Sequence, residues 1–474
     1  MVDSKTAKGE ALPRMQESGV ALKAKRPTAM VGLRGVANWV VEHELWLLVI
    51  AVPLLMFPEF VPFPLTSVSV FLILIPWLCR WLAKGYLSVR TPMDMPILGL
   101  FIMLPVSLWA SVDLNLSLVS LYQIIASVGL FYGLANSLSS IGQVRRAITF
   151  LIAIGAGMAL VAPVATKWFT HKLFPLPQIY QRIPLLVKDP VHPNVLAGAL
   201  GMIIPIPLAL LFLGGQDHPA DAELRAQPLN PRHKIQKFGL WILNAPLFRT
   251  FTLAIMLITF ILTQSRGAFL ALALGILFIG IQRNRWLVLS VPIVAIGLLI
   301  AIWHLGAEGL TDFLLITDTI GGWQGRKEVW SRAIYMIQDF PYTGIGLRTF
   351  SRVGPVMYPY FLLGPDADVP HAHNLFLQVA VDLGIPGFVA FVASITVSMV
   401  MAWQAFHIFK SKGERNRQSL ALGLFCSFLV MMVQGLVDCV TWGSKPAIIP
   451  WIMMGLTVTL YNIAKQPLEL DIHS

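Results

Sequence analysis

Charge is scarce in this chain: Asp, Glu, Lys and Arg together make up 12% of its 474 residues, against 56% hydrophobic ones. With a mean hydropathy of +0.71, that scarcity excludes an ordinary soluble globular protein. Cysteine is nearly missing too. Cys79, Cys426 and Cys439 all sit in apolar stretches, which excludes a disulfide framework or a cysteine-based zinc cluster. No Walker A sequence, GxSxG elbow or HExxH pair occurs, so the chemistries tied to those motifs are not indicated. Internal repeats, collagen-like stretches and coiled-coil heptads are also lacking.

What the sequence has in abundance is apolar runs. Segments near 45–62, 65–83, 93–111, 115–138, 147–165, 194–214, 247–264, 267–282, 286–304, 375–407, 418–441 and 447–463 each approach the roughly 20 residues that cross a bilayer. They predict an all-α polytopic membrane protein with about twelve transmembrane helices and both ends on the inner side. Lys and Arg test the orientation, because cytoplasmic connections attract them; the inner connections hold roughly twice as many as the outer ones. Much of the net charge of +11 is therefore topology, and nucleic-acid binding is not needed to explain it. Residues 1–36, with early basic residues and no apolar run, are expected to be a cytoplasmic tail and not a signal peptide. Helices one to nine then fill 37–304, a long outer loop 305–373, and the last three helices with a short cytoplasmic tail 374–474. Gly384, Pro386 and Gly387 predict a break early in the tenth helix.

Several residues in the outer connections carry chemical potential. Val329, Trp330, Ala333, Ile334 and Ile337 recur at helical spacing beside Arg326, Lys327, Glu328, Arg332 and Asp339, predicting an amphipathic helix that lies on the membrane or on the spans below. Arg266, at a very short outer turn followed by Gly267, requires an anionic partner, either lipid phosphate or substrate. The sixth span opens outward at His192-Pro193-Asn194 with Arg182 and Lys188 just upstream, so helix amides and cations there favour an anion, although Pro193 and Asn194 are also ordinary helix-start residues. In Pro370-His371-Ala372-His373-Asn374 the i,i+2 spacing places the two histidines on different sides of a helix, so it lacks the i,i+4 geometry of a helical zinc pair. Either histidine, held neutral at a helix N-terminus, can serve as a general base. Asp366-Ala367-Asp368 has the spacing of a metal–diphosphate motif but stands alone, and Gly344-Ile345-Gly346 reads as a turn closing the amphipathic helix.

The order Ser265-Arg266-Gly267, Gly325-Arg326-x-x-x-Trp330, Asp339 through Gly346, His371-Ala372-His373-Asn374 and Leu383 through Gly387 resembles the O-antigen ligase and polymerase superfamily, best over about 260–390. The resemblance implies a GT-C-like glycosyltransferase of the bacterial inner membrane, its active site facing the periplasm. The implied donor is a glycan on undecaprenyl diphosphate. The implied acceptor is a lipid A–core sugar for a ligase, or another lipid-linked repeat unit for a polymerase of O-antigen or exopolysaccharide. It implies no metal or other cofactor, Arg266 on the diphosphate, and His373 beside the acceptor. Arg182 is the expected second arginine, with Lys188 as a departure, and Arg326, His371, Asn374 and Asn194 complete the expected substrate contacts. The competing class is a secondary transporter, which also commonly has twelve spans; the missing repeat and the late outer loop speak against it.

Overall fold

In the computed structural model of the chain, the described residues are 28–168, 183–187, 190–215, 246–293, 296–297, 299–300, 303–304, 323–364 and 367–466. Arg182, Lys188 and Asp366, expected near an anion or a metal, lie outside them. Among the described residues the protein is helical, with no strand beyond an isolated bridge between Thr166 and Val191. That follows from the apolar runs: in hydrocarbon a backbone must satisfy its own hydrogen bonds, and a helix does so within one segment.

The first half comprises α1 (Thr28–Glu42), α2 (Glu44–Met56), α3 (Phe63–Lys84), α4 (Asp94–Trp109), α5 (Leu114–Ser137) and α6 (Ile141–Ala165). Helix α1 begins within the segment expected to be a tail, and bends by 62° into α2. Helices α7 (Pro193–Ile203) and α8 (Pro205–Leu213) together form the expected sixth span, followed by α9 (Pro246–Leu262) and α10 (Arg266–Arg283). Then come α11 (Trp323–Asp339), α12 (Phe350–Met357), α13 (Leu375–Ser411), α14 (Arg415–Gly435) and α15 (Ile448–Lys465).

Among the described residues eight helices are long and apolar enough to cross a membrane, or nine if the bent α1–α2 pair is one span. Two more of the expected twelve coincide with α4 and α9, apolar but shorter. The stretch expected at 286–304 lies partly outside the described residues, and its start is a 3-10 turn, Arg285–Leu289. One expected span needs correcting. The segment drawn as 418–441 is helical only to Gly435, because Asp438 turns back to accept the Cys439 N–H at 2.8 Å and Gly443 takes a φ of 65°.

Helix α14 is the centre of the bundle, packed against α7, α8, α10 and α13, while α15 packs against α5 and α13. A continuous apolar core joins these helices, including Phe406, Phe428 and Met453, all fully buried. A second, smaller core belongs to the unit built on α11 and α12. Val329, Ala333 and Met336 from α11 meet Ile345, Phe350, Val353, Tyr360 and Val381, so the apolar stripe of the amphipathic helix packs against protein. Met336 was missed in the stripe read from sequence, whereas Ile334 of that stripe is exposed.

Glu328 closes this unit. Its Oε1 accepts the backbone N–H of Phe361 at 2.6 Å and of Leu362 at 3.0 Å, and its Oε2 that of Leu363 at 3.0 Å. Burial alone would raise its pKa, but these donors and nearby Arg332 outweigh it and hold the carboxylate below its ordinary 4.5. A depressed acid stabilises the fold above its unfolded pKa, so the clamp should be at full strength above pH 4.5 and weaken as acidification approaches the lower folded value. Glu328→Ala should loosen the 361–363 loop by roughly 2–3 kcal/mol, read as faster hydrogen exchange of those three amides with the bundle unchanged.

Candidate active site

The site is built where α13 starts. Asn374 caps that helix, its Oδ1 accepting the N–H of Phe376 at 2.9 Å and of Leu377 at 3.0 Å. With the cap at 374, both histidines precede the helix, so the expectation that i,i+2 spacing puts them on different helix faces does not hold. His373 has a φ of 49°, in the left-handed region that side chains seldom adopt. That twist folds the two imidazoles together: their ring centroids are 4.4 Å apart, and the His373 N–H donates to His371 Nδ1 at 3.2 Å.

The other wall is the irregular link 436–444 after α14, part of which its apolar sequence assigns to a span. Asn374 Nδ2 donates to the Leu436 carbonyl at 3.0 Å. Arg326 Nη1, from the first turns of α11, donates to the Val437 carbonyl at 2.7 Å. Gly267 lies against the Val437 side chain so closely that a Cβ there would stand 2.5 Å from it. Asp438, next in line, faces His373, with Oδ1 3.8 Å from Nδ1. Four segments far apart in sequence, at Gly267, Arg326, 371–374 and the link 436–438, thus come together.

His192 joins them from a fifth. It caps α7 by accepting the Asn194 N–H at 3.2 Å, and its charge is felt at His371. Asn194 and Pro193 thus occupy ordinary helix-start positions, and backbone pairing of Leu186 with Val164 and Val191 with Ala165, at 2.9 and 2.8 Å, ties the preceding segment to the end of α6.

The electrostatics divide the roles. Desolvation, then the neighbouring His373, lowers the pKa of His371 to about 4, so its imidazole is neutral at physiological pH. Burial would raise that of Asp438, but the adjacent His373, then His371, hold it well below the carboxylate range, leaving an anion. Desolvation lowers that of Arg326 against the opposing pull of Asp438; a guanidinium stays charged regardless. His373 Nε2 is buried with no hydrogen-bond partner among the described residues. His371, His373 and Asp438 each place a ligand atom within 4.8 Å of the others, close enough for a metal ion to gather with small adjustments. The Arg326 charge beside Asp438 works against a divalent cation, and the same geometry serves a base with its orienting carboxylate.

Strain gathers here as well. Among the described residues the non-glycine positions with positive φ are Gln264, Arg348 and His373. Gln264 precedes the Ser265-Arg266 start of α10, Arg348 donates its N–H to Asp382 in α13, and His373 is the imidazole itself. Left-handed conformations at side-chain-bearing residues cost about 1–3 kcal/mol each and cluster at functional sites. Sequence reasoning missed Asp438, whose signal was an acid at the end of an apolar run, and marked His192 only as the opening of an anion-favouring helix start.

Residues 251–392 match the O-antigen ligase family. The matched stretch holds Arg266, Arg326, His371, His373 and Asn374, whereas His192 and Asp438 lie outside it. No curated protein matches the sequence.

Proposed function

We propose that the chain, whose residues 251–392 match the O-antigen ligase family, is a membrane glycosyltransferase moving a glycan from undecaprenyl diphosphate to a sugar hydroxyl of lipid A–core at the outer face of the bacterial inner membrane. The observation that carries the reading is the His373 geometry: Nδ1 toward an ionised Asp438, Nε2 unpartnered, and the Arg326 guanidinium on the adjoining Val437 carbonyl. In the proposed step the acceptor hydroxyl oxygen attacks the anomeric carbon directly, His373 takes the hydroxyl proton, and the bond from that carbon to the diphosphate oxygen breaks. Its electron pair leaves with the diphosphate, so the anomeric centre inverts. The growing negative charge falls to Arg266, Arg326 and, beyond the described residues, Arg182 and Lys188, through charge-assisted hydrogen bonds. Arginines then perform the charge neutralisation that a divalent cation performs elsewhere, and the reaction proceeds without one.

The test is transfer by the purified protein in vesicles carrying undecaprenyl-diphosphate-linked glycan, with and without lipid A–core, in the presence and absence of EDTA. Transfer only when core is present, undiminished by EDTA, is the expected result. Chain growth without core would make the protein a polymerase acting on a second lipid-linked repeat unit, and failure to turn over with either acceptor would sink the glycosyltransferase reading.

A further inference from the structure

Asp382 is an odd residue to find where it is. It is 1% exposed, inside a helix apolar enough to span the bilayer, and two residues before the break at Gly384, where φ is 68°. A carboxylate in the last turn of a helical segment faces the negative end of the dipole, and burial in a membrane protein adds a desolvation cost. Something must compensate, and its partners show what. Oδ1 accepts Gln378 Nε2 at 2.8 Å, Oδ2 accepts Trp442 Nε1 at 2.8 Å, and the Arg348 N–H donates to the carboxylate as well.

Each partner leads to a wall of the site. Gln378 passes the contact on, its Oε1 accepting the N–H of Ala372 at 2.7 Å, the residue between the two histidines. Trp442 belongs to the same link as Asp438, and its carbonyl accepts the Cys439 thiol. The backbone around Asp382 is held just as firmly: its own carbonyl accepts Ser107 Oγ from α4 at 2.7 Å, and the carbonyl of Val381 accepts the Ile345 N–H at 2.9 Å. The break is what admits the outer turn, since Ile385 N–H donates to the Pro341 carbonyl at 2.7 Å and a Cβ on Gly384 would stand 2.7 Å from the Tyr342 backbone.

We propose that Asp382 is a positioning residue for transfer: through Gln378 it sets the His371–His373 segment, through Trp442 it sets the Asp438 link, and so it fixes the separation of His373 from Asp438. This rests on the reading of His373 as the base. The pair itself stands at 3.8 Å, beyond a hydrogen bond, so small displacements of either segment change its coupling. Asn cannot replace Asp here. Its amide has one acceptor oxygen and one donor nitrogen, so either Gln378 or Trp442 meets a donor.

The experiment compares Asp382→Asn, Trp442→Phe, Asp438→Asn, the Asp382→Asn/Asp438→Asn double variant and His373→Ala in the vesicle transfer assay, with thermal unfolding of each. Asp382→Asn should lower kcat by up to about a hundredfold while KM for the lipid-linked donor changes less than about twofold, since the donor's diphosphate is held elsewhere. Trp442→Phe, which keeps the ring and removes the donor, should lower kcat in the same way with a smaller effect on folding. In the Asp438→Asn background, Asp382→Asn should cost little more, because both act through one pair. Full kcat in Asp382→Asn, or losses that multiply in the double variant while His373→Ala is inactive, would overturn the positioning role and leave the base reading intact. An active His373→Ala protein would remove the base reading and this proposal with it.

Discussion

His373→Ala should reduce transfer by roughly a hundredfold to ten-thousandfold, the range over which a positioned proton acceptor contributes, while the protein inserts and binds lipid-linked donor as before. The choice of His373 over His371 is physical. A base must hold the proton it takes, and burial drives the pKa of His371 down to about 4, too weak for that at neutral pH. His371 Nδ1 is further committed to the His373 N–H. His373 has what a base needs on both sides: an anion near Nδ1 to stabilise the imidazolium that forms, and a second nitrogen without a partner. Its left-handed backbone is consistent with a residue held for function at a cost in stability. His371→Ala should therefore lose much less activity than His373→Ala, and Asp438→Asn should fall between them. Single-turnover transfer from labelled donor measures all three, and equal losses for the two histidines would mean that the pair acts as a unit with no single base.

The membrane class and most of the bundle were legible in the sequence because lipid imposes a simple rule on it: a run of about 20 apolar residues is a helix. That rule also explains the misreading at 418–441. Val437, Cys439 and Val440 are as apolar as any span residue, and hydropathy cannot see that Asp438 bends the backbone out of the helix after Gly435. The break at Gly384 was readable, since Gly-Ile-Pro-Gly carries its own backbone chemistry. In the site, the motifs marked Arg266, Arg326 and His373 individually. Their convergence on Leu436, Val437 and Asp438 was not readable, because it depends on tertiary contacts over separations of 62 residues from Asn374 to Leu436, 111 from Arg326 to Val437, and more from Gly267 to Val437. The i,i+2 argument about the histidines failed for a related reason. It assumed a helix that already includes His371, whereas the helix is capped only at Asn374.

Arg266→Ala should lower kcat/KM for the lipid-linked donor by about a hundredfold to a thousandfold, the usual loss when one preorganised donor to a developing anion is removed. The residue opens α10, so the backbone amides of that first turn and the dipole of the helix add to its charge, and all of them favour an anion at the same point. Gly267 lets this helix start press against Val437, the residue whose carbonyl holds Arg326, which brings the α10 start to the same link that faces His373. A diphosphate leaving group positioned by that helix start would lie within reach of the base. Arg266→Lys separates charge from geometry: an ammonium keeps the attraction but loses the planar fork that meets two phosphate oxygens together, so it should recover only part of the loss. Were Arg266 only an anchor to lipid headgroups, lysine would serve as well and alanine would leave kcat/KM within about twofold, since snorkelling asks for a cation and nothing more. A graded series, arginine above lysine above alanine, in donor kinetics at constant membrane insertion is the result that ties this residue to the diphosphate.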